Sequence, residues 1–102
     1  MTRLLLIALM AASLAGPAAA GEYEDAMKRV TEHMPRDVIS FIYRRVYCNH
    51  WMAQDPADPT VQGHMRRLGC ASLPREERSL RRRYTGHPEV IESINEAFGM
   101  QF

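Results

Sequence analysis

The feature that most constrains this chain is its pair of cysteines, Cys48 and Cys70, because its 102 residues contain no other cysteine. In an oxidising compartment two thiols allow a single intramolecular disulfide. In the chain-entropy description, a bridge across this loop stabilises a fold by about 3 kcal/mol. An intermolecular bridge and two free thiols are the alternatives. We predict a small domain that is cross-linked between Cys48 and Cys70.

Residues 1–20 indicate the compartment. Arg3 places a positive charge near the start, and residues 4–15 form a mostly apolar run. Three alanines at 18–20 supply the small side chains that precede a signal-peptide cleavage site. The apolar run is shorter than the ~20 residues that a membrane-spanning helix needs. We therefore expect a cleaved signal peptide and a single mature domain at 21–102 that is periplasmic or secreted, with no stable membrane insertion.

Length and charge narrow the classes of function. Without the signal peptide, about eighty residues remain, which is enough for one domain and too few for two. The whole chain has 13 Lys and Arg against 12 Asp and Glu, and the signal peptide removes one arginine. A neutral domain has no general attraction to nucleic acid or to anionic membranes. We expect no nucleic-acid partner.

The spacing of apolar residues predicts an all-α fold, a small bundle of four to five short helices with one disulfide. The segment 36–53 is the most hydrophobic, and we expect it to be the central helix. Ser72 is the expected N-cap of the fourth helix. The sequence leaves open whether Gly69 ends the third helix or Cys70 lies on its last turn. The helices are expected at 22–34, at 36–53, from Pro59 onwards, after Ser72 as far as Tyr84, and at 88–98.

Helical spacing also predicts which side chains face the core. Each helix carries apolar residues at intervals of three or four, which place them on one side. The expected inward residues are Tyr23, Met27, Val30 and Met34, then Val38, Ile39, Phe41, Ile42, Val46, Cys48 and Met52, then Val61, Met65 and Leu68, then Leu73, Leu80 and Tyr84, and finally Val90, Ile91, Ile94 and Phe98.

The sequence YCNHWM at 47–52 contains residue types that bind metals. On a helix, Cys48 and His50 point about 160° apart, so one metal ion cannot join them. The chain has neither the ligand spacing of a zinc site nor that of a haem attachment site, and we expect no cofactor. Imidazole and thioether ligands suit Cu(I), although methionines at helical spacing also fill cores. The weak candidates for such a site are His50, Met52, His64 and Met65.

Three clusters of arginine occur at 44–45, 66–67 and 81–83. The stems of such arginines commonly cover the edge of a core while their guanidinium groups pair with carboxylates. Arg44 differs from the others because it lies in the most apolar segment, four residues before Cys48. The sequence contains no recognisable frame of catalytic residues, and we expect a protein that is not an enzyme.

The stretch Cys48-Asn49-His50-Trp51 is followed by a second cysteine, by the segment LRRRY at 80–84, and by Pro88. In this order the chain resembles short exported proteobacterial proteins of unassigned function, which carry a C-N-H-W stretch and a second cysteine about twenty residues later. The resemblance covers most of residues 44–91. It implies a small exported helical domain and attaches no activity to it.

These patterns favour a non-enzymatic exported protein that binds another protein or has a structural role in the periplasm. A disulfide beside Trp51 would hold the neighbouring side chains rigid, and an exposed tryptophan is an effective anchor at an interface. Two alternatives stay open: a periplasmic protein that binds Cu(I) or Ag(I), and an inhibitor of a secreted enzyme. The candidate binding surface consists of Asn49, His50, Trp51 and Arg44.

Overall fold

The computed structural model describes the backbone of residues 18–101 and the side chains of residues 21–101. The predicted signal peptide lies outside the described residues, except for the backbone of 18–20. The described part of the chain contains five α-helices and no strand, which confirms the all-α class. None of these helices combines the length and the apolar character needed to cross a bilayer. The helices are α1 (Ala18–Thr31), α2 (Arg36–Met52), α3 (Pro59–Leu68), α4 (Leu73–Arg83) and α5 (Pro88–Phe98).

Local signals set the start of α3 and α4. Pro59 is the first residue of α3, where its missing N–H has no intrahelical role. The carboxylate of Asp58 caps this helix by accepting a hydrogen bond of 2.8 Å from the N–H of Thr60. Ser72 precedes α4 as predicted, but its hydroxyl does not cap the backbone of that helix. It lies instead 2.6 Å from a carboxylate oxygen of Glu76 and 2.9 Å from the carbonyl oxygen of Gly69, and these two acceptors share its single O–H.

Gly69 ends α3, which answers the question that the sequence leaves open. Its φ of 69° and ψ of 38° are left-handed, and its N–H donates to the carbonyl of Arg66 at 3.1 Å. A Cβ at this position would lie 2.9 Å from a guanidinium nitrogen of Arg44, so both the backbone and the space favour glycine. The short 3₁₀ turn Cys70–Ser72 follows and carries the second cysteine between α3 and α4.

The first helix differs from the prediction at both ends. It begins at Ala18 and ends at Thr31, whereas the sequence predicts 22–34. His33 adopts a φ of 63°, a left-handed conformation that stops a helix and that residues other than glycine rarely enter. The apolar spacing continues to Met34 because that side chain still packs against the core from outside the helix.

The core forms around α2, which packs against all four other helices. Its residues Val38, Ile42, Val46 and Cys48 are fully buried, as predicted. Ile94 of α5 is buried as well. The central position of α2 follows from its hydrophobic side chains, since a helix with this many must bury more than one face. The other buried hydrophobic residues are Met27, Val30, Phe41, Val61, Cys70, Leu73, Leu80, Val90 and Ala97.

Two of the expected inward residues are exposed, and the prediction is wrong for both. Met52 is 57% exposed and Phe98 is 62% exposed. Each is the last residue of its helix, where the apolar stripe continues but no neighbouring element covers it. On α5, the small side chains of Ser93 and Ala97 are buried.

Asp37 ties the start of α2 to the end of α4. Its carboxylate accepts hydrogen bonds from the hydroxyl of Tyr84 at 2.8 Å and from the N–H of Val38 at 2.9 Å, and it pairs with Arg83. Burial alone would raise the pKa of the Asp37 carboxyl, but the hydrogen bonds from Tyr84, Arg83 and Val38 outweigh it and lower the pKa. Asp37 is therefore ionised at neutral pH and holds the two helices together.

Cys48 and Cys70 form a disulfide, as predicted, with their Cα atoms 5.7 Å apart. The chain has no free cysteine. Cys48 is fully buried near the end of α2, and Cys70 lies in the turn after α3. The bridge therefore joins the central helix to the connection between α3 and α4.

We expect the double variant Cys48→Ala, Cys70→Ala to be less stable than the oxidised protein by about 3 kcal/mol, because the unfolded chain is no longer closed into a loop. The free energy of unfolding is measured with urea and circular dichroism. Wild-type protein kept under reductant should unfold close to the variant. An unchanged urea midpoint in both samples would contradict a stabilising role for the bridge.

Candidate functional site

Aromatic side chains form a row along α2. Tyr43, Tyr47 and Trp51 occur at intervals of four, so they lie above one another on one side of the helix. Tyr43 is 43% exposed, Tyr47 is 40% exposed, and Trp51 is half-buried. The row therefore lies along an exposed side of α2.

Trp51 is fixed in place by a contact with α3. Its indole stacks on the imidazole of His64, with ring centroids 3.9 Å apart and planes inclined by 6°. The guanidinium of Arg67 lies 3.2 Å from Nδ1 of His64. A guanidinium can only donate, so this nitrogen of His64 is the acceptor. The stack holds the indole between α2 and α3 in one orientation.

Two cavities flank Tyr47. One, of about 470 Å³, lies between α2 and α3 and is lined in part by Trp51 and His64. The other, of about 430 Å³, lies between α1 and α2 and is lined in part by Tyr23 and Tyr43. Because Tyr47 lines both, the two cavities adjoin at this side chain and together border three helices. We refer to Tyr23, Tyr43, Tyr47, Trp51 and His64 as the aromatic strip.

The phenol groups of the strip lie close to one another. Burial raises the pKa of the Tyr23 hydroxyl, and the nearby phenols of Tyr47 and Tyr43 raise it further. Tyr23 is therefore uncharged at neutral pH. Arg67 supplies a positive charge at the cavity between α2 and α3, and Lys28 and Glu24 supply one charge of each sign at the cavity between α1 and α2. The strip is thus an aromatic surface with Arg67 at one cavity and both Lys28 and Glu24 at the other.

Of the four predicted binding residues, Trp51 belongs to the strip and His50 lies next to it. His50 is half-buried and lines the cavity between α2 and α3. Asn49 turns away from it, because its amide nitrogen donates to the carbonyl oxygens of Ala97, Phe98 and Met100 at 3.3, 3.0 and 2.7 Å. Asn49 therefore caps the end of α5, and a role for it in binding a partner stays a prediction.

Arg44 also has intramolecular partners. Its Nε donates to the carbonyl of Leu68 at 2.8 Å, and Nη2 donates to that of Gly69 at 3.2 Å. Its two terminal nitrogens bind both carboxylate oxygens of Glu76, at 2.5 and 3.0 Å. The hydrogen bond from Arg44, followed by that from Ser72, lowers the pKa of Glu76 from 4.5 to about 2. Arg44 therefore joins α2 to the end of α3 and the start of α4.

Other arginines pair with acids in the way that the sequence predicts. Arg45 is buried, donates to Glu77 at 3.2 Å, and lies over the rings of Phe41 and Phe98 at 5.8 and 5.3 Å. Its Nε has no hydrogen-bond partner among the described residues, and the aromatic faces partly offset this loss. These arginine stems complete the edge of the core. The further pairs are Arg29–Glu96, Arg81–Glu77 and Arg83–Asp37.

The weak candidates for metal binding fall into two places. His50 and His64 line the cavity beside the aromatic strip, whereas Met52 and Met65 line a different cavity, near the end of α3. Within residues 21–101, no group of three or more His, Cys, Asp or Glu side chains is placed to hold a metal ion. Binding of Cu(I) or Ag(I) stays a prediction.

Sequence reasoning did not single out Tyr23, Tyr43 or Tyr47 as binding residues. A signal for two of them was present, since Tyr43, Tyr47 and Trp51 are spaced by four. No family model, no curated protein and no solved structure matches this chain. The geometry of the described residues is therefore the basis for inferring its function.

The ion pair of Arg44 with Glu76 predicts how stability depends on pH. Because the pKa of Glu76 is lower in the folded protein, its contribution is present above about pH 4.5 and is lost as the pH falls towards 2. We expect Glu76→Gln to be less stable by about 1 kcal/mol at pH 7, given the partial exposure of the pair. Between pH 4.5 and 2 the variant should lose less stability than the wild type.

The measurement is the free energy of unfolding in urea at pH 7, 4.5 and 2.5. Glu92→Gln is the matched control, since Glu92 is an exposed carboxylate of α5. Its stability should follow that of the wild type at all three pH values. Parallel pH curves for Glu76→Gln and the wild type would contradict the assignment.

Proposed function

We propose that this protein is a non-enzymatic binding module, which holds a segment of another protein along the aromatic strip. The observation that carries the proposal is that Tyr47 lines two cavities, so that aromatic side chains from three helices form one surface. Tyrosine and tryptophan contribute most to binding at interfaces, because they bury a large area and lose little conformational freedom.

The rigidity of the strip supports the proposal. The disulfide between Cys48 and Cys70 ties α2 to the end of α3, and the stack of Trp51 on His64 spans the same two helices. Binding costs less free energy when the contacting side chains are already ordered in the free protein. The α2–α3 side of the strip therefore meets its partner without rearrangement.

The charges beside the strip indicate the chemistry of the partner. One guanidinium nitrogen of Arg67 donates a hydrogen bond to His64. The guanidinium has further N–H groups that can bind a carboxylate. At the other cavity, Lys28 and Glu24 provide one charge of each sign, so Arg67 is the group that favours an acidic residue. We infer an extended partner segment that places an apolar side chain in each cavity, on either side of Tyr47, with an acidic residue next to Arg67.

We infer that binding takes place in the periplasm or outside the cell. Residues 1–20 have the pattern of a signal peptide, and the Cys48–Cys70 disulfide is compatible with an oxidising compartment. The resemblance to short exported proteobacterial proteins points to the same location.

The binding proposal is tested with a photoreactive phenylalanine at position 47 in cells that express the full chain. Irradiation should yield a covalent adduct with one partner, identified by mass spectrometry, and the same group at Arg82 of α4 should yield none. A second change, Tyr43→Ala, should lower the yield of the adduct about tenfold, because an exposed aromatic contact is lost.

Arg82→Ala is the matched control, since Arg82 is exposed on α4 and should leave the adduct at position 47 unchanged. Circular dichroism and urea unfolding establish that each variant is folded. Equal adducts from positions 47 and 82, or an adduct that Tyr43→Ala does not reduce, would refute the aromatic strip as the binding surface.

Export is tested by the intact mass of the protein recovered from the periplasm or the medium under non-reducing conditions. We expect the mass of residues 21–102, less the two hydrogens that are lost when a disulfide forms. Treatment with reductant and an alkylating agent should then add two alkyl groups. Retention of residues 1–20, or alkylation without reductant, would contradict the proposal on location.

A further inference from the structure

A second apolar surface lies away from the aromatic strip. Four large hydrophobic side chains are exposed among the described residues, and Tyr43 and Tyr47 belong to the strip. The other two, Met52 and Phe98, do not. Met52 lines a cavity of about 590 Å³, near the ends of α2 and α3.

This cavity opens on the opposite side of α3 from the strip. Met65 and Arg66 line it, whereas His64 and Arg67 line the cavity beside Trp51. Neighbouring residues on a helix point about 100° apart, so these two pairs face different sides. A ligand in one cavity therefore does not touch the residues of the other.

The lining of this cavity is apolar with a single charge. Met52, Met65, Cys70 and Ala71 supply thioether, disulfide and methyl groups. The charge is the guanidinium of Arg66, which is exposed and makes no hydrogen bond or ion pair with the described residues. Methionine side chains are flexible and polarisable, so they adapt to alkyl chains of varied shape.

We propose that this cavity binds a single-chain amphiphile with an anionic head, of the fatty-acid class. The alkyl chain lies against Met52, Met65 and Ala71, and the carboxylate binds the guanidinium of Arg66. The volume falls in the range of small-molecule sites, roughly 300–1,000 Å³. A guanidinium binds a carboxylate through two parallel hydrogen bonds, which fixes the head at the edge of the cavity.

Charge argues against two other occupants. In a symmetric dimer the same patch meets itself, so the two Arg66 side chains would approach each other with no acidic side chain in the lining between them. A bilayer surface is held by clusters of basic residues, and this cavity offers only one. A small anion with an alkyl chain satisfies both the apolar lining and the single cation.

The proposal is tested by isothermal titration calorimetry on the protein recovered from cells. The ligands are decanoate and decanol, each below the concentration at which it aggregates. Both should bind, and dodecanoate should bind about fifteenfold tighter than decanoate because two more methylene groups are buried. Arg66→Gln should weaken decanoate about fivefold and leave decanol unchanged, since only the head group loses its partner. Ala71→Phe should weaken both, because the ring occupies part of the cavity.

Arg67→Gln is the matched control, since it removes the same charge from the adjacent position but from the other cavity. It should leave decanoate binding unchanged, and so should Tyr47→Ala, which separates this proposal from the one for the aromatic strip. Ala71 is exposed, so its replacement leaves the core intact.

Several results would overturn the inference. The first is that the wild type does not bind decanoate. The second is that Arg66→Gln and Arg67→Gln weaken decanoate binding equally. The third is that the protein binds phosphatidylglycerol vesicles but not free decanoate. A dimer in multi-angle light scattering that Ala71→Phe converts to a monomer would assign the surface to a second copy of the chain instead.

Discussion

The fold depends on a double connection between α2 and the turn that follows α3. Cys48 binds this turn covalently through Cys70, and Arg44, one helical turn earlier on α2, binds the carbonyl groups at the end of α3. Residues four apart share one face of a helix, so both connections act on the same side of α2. Glu76 adds the start of α4 to this junction. The relative position of α2, α3 and α4 is thus fixed at a single place, and both cavities that α3 borders depend on it.

The parts of the fold that the sequence predicts correctly are those with local causes. Proline can begin a helix but not continue one, so the start of α3 at Pro59 and of α5 at Pro88 is evident from the sequence. The disulfide follows from having only two cysteines. Whether a side chain at the end of a helix is buried does not depend on the neighbouring sequence alone. Met52 and Phe98 continue apolar stripes, yet whether another element covers them depends on where that element stops.

The candidate site is predicted only in part, for a related reason. The composition around Trp51 attracts attention to the end of α2, and that residue does belong to the aromatic strip. The side chains of Asn49 and Arg44 point towards the carbonyl groups at the ends of α5 and α3. A single sequence does not show where these helix ends lie in space. The contributions of Tyr23 and His64 come from other helices. Their proximity to α2 results from packing, which no spacing along the chain encodes.

The two ends of α2 are anchored differently from α1. Asp37 holds the start of α2 to α4, while α1 is attached by its buried side chains and by the exposed pair of Arg29 with Glu96. A pair of this kind breaks and reforms at little cost. The groove between α1 and α2 is therefore bordered by one helix with a covalent tether and by one helix that noncovalent contacts hold. For the binding proposed above, this difference predicts that adjustment to partner side chains of different bulk occurs on the Tyr23 side, while Trp51 keeps its position.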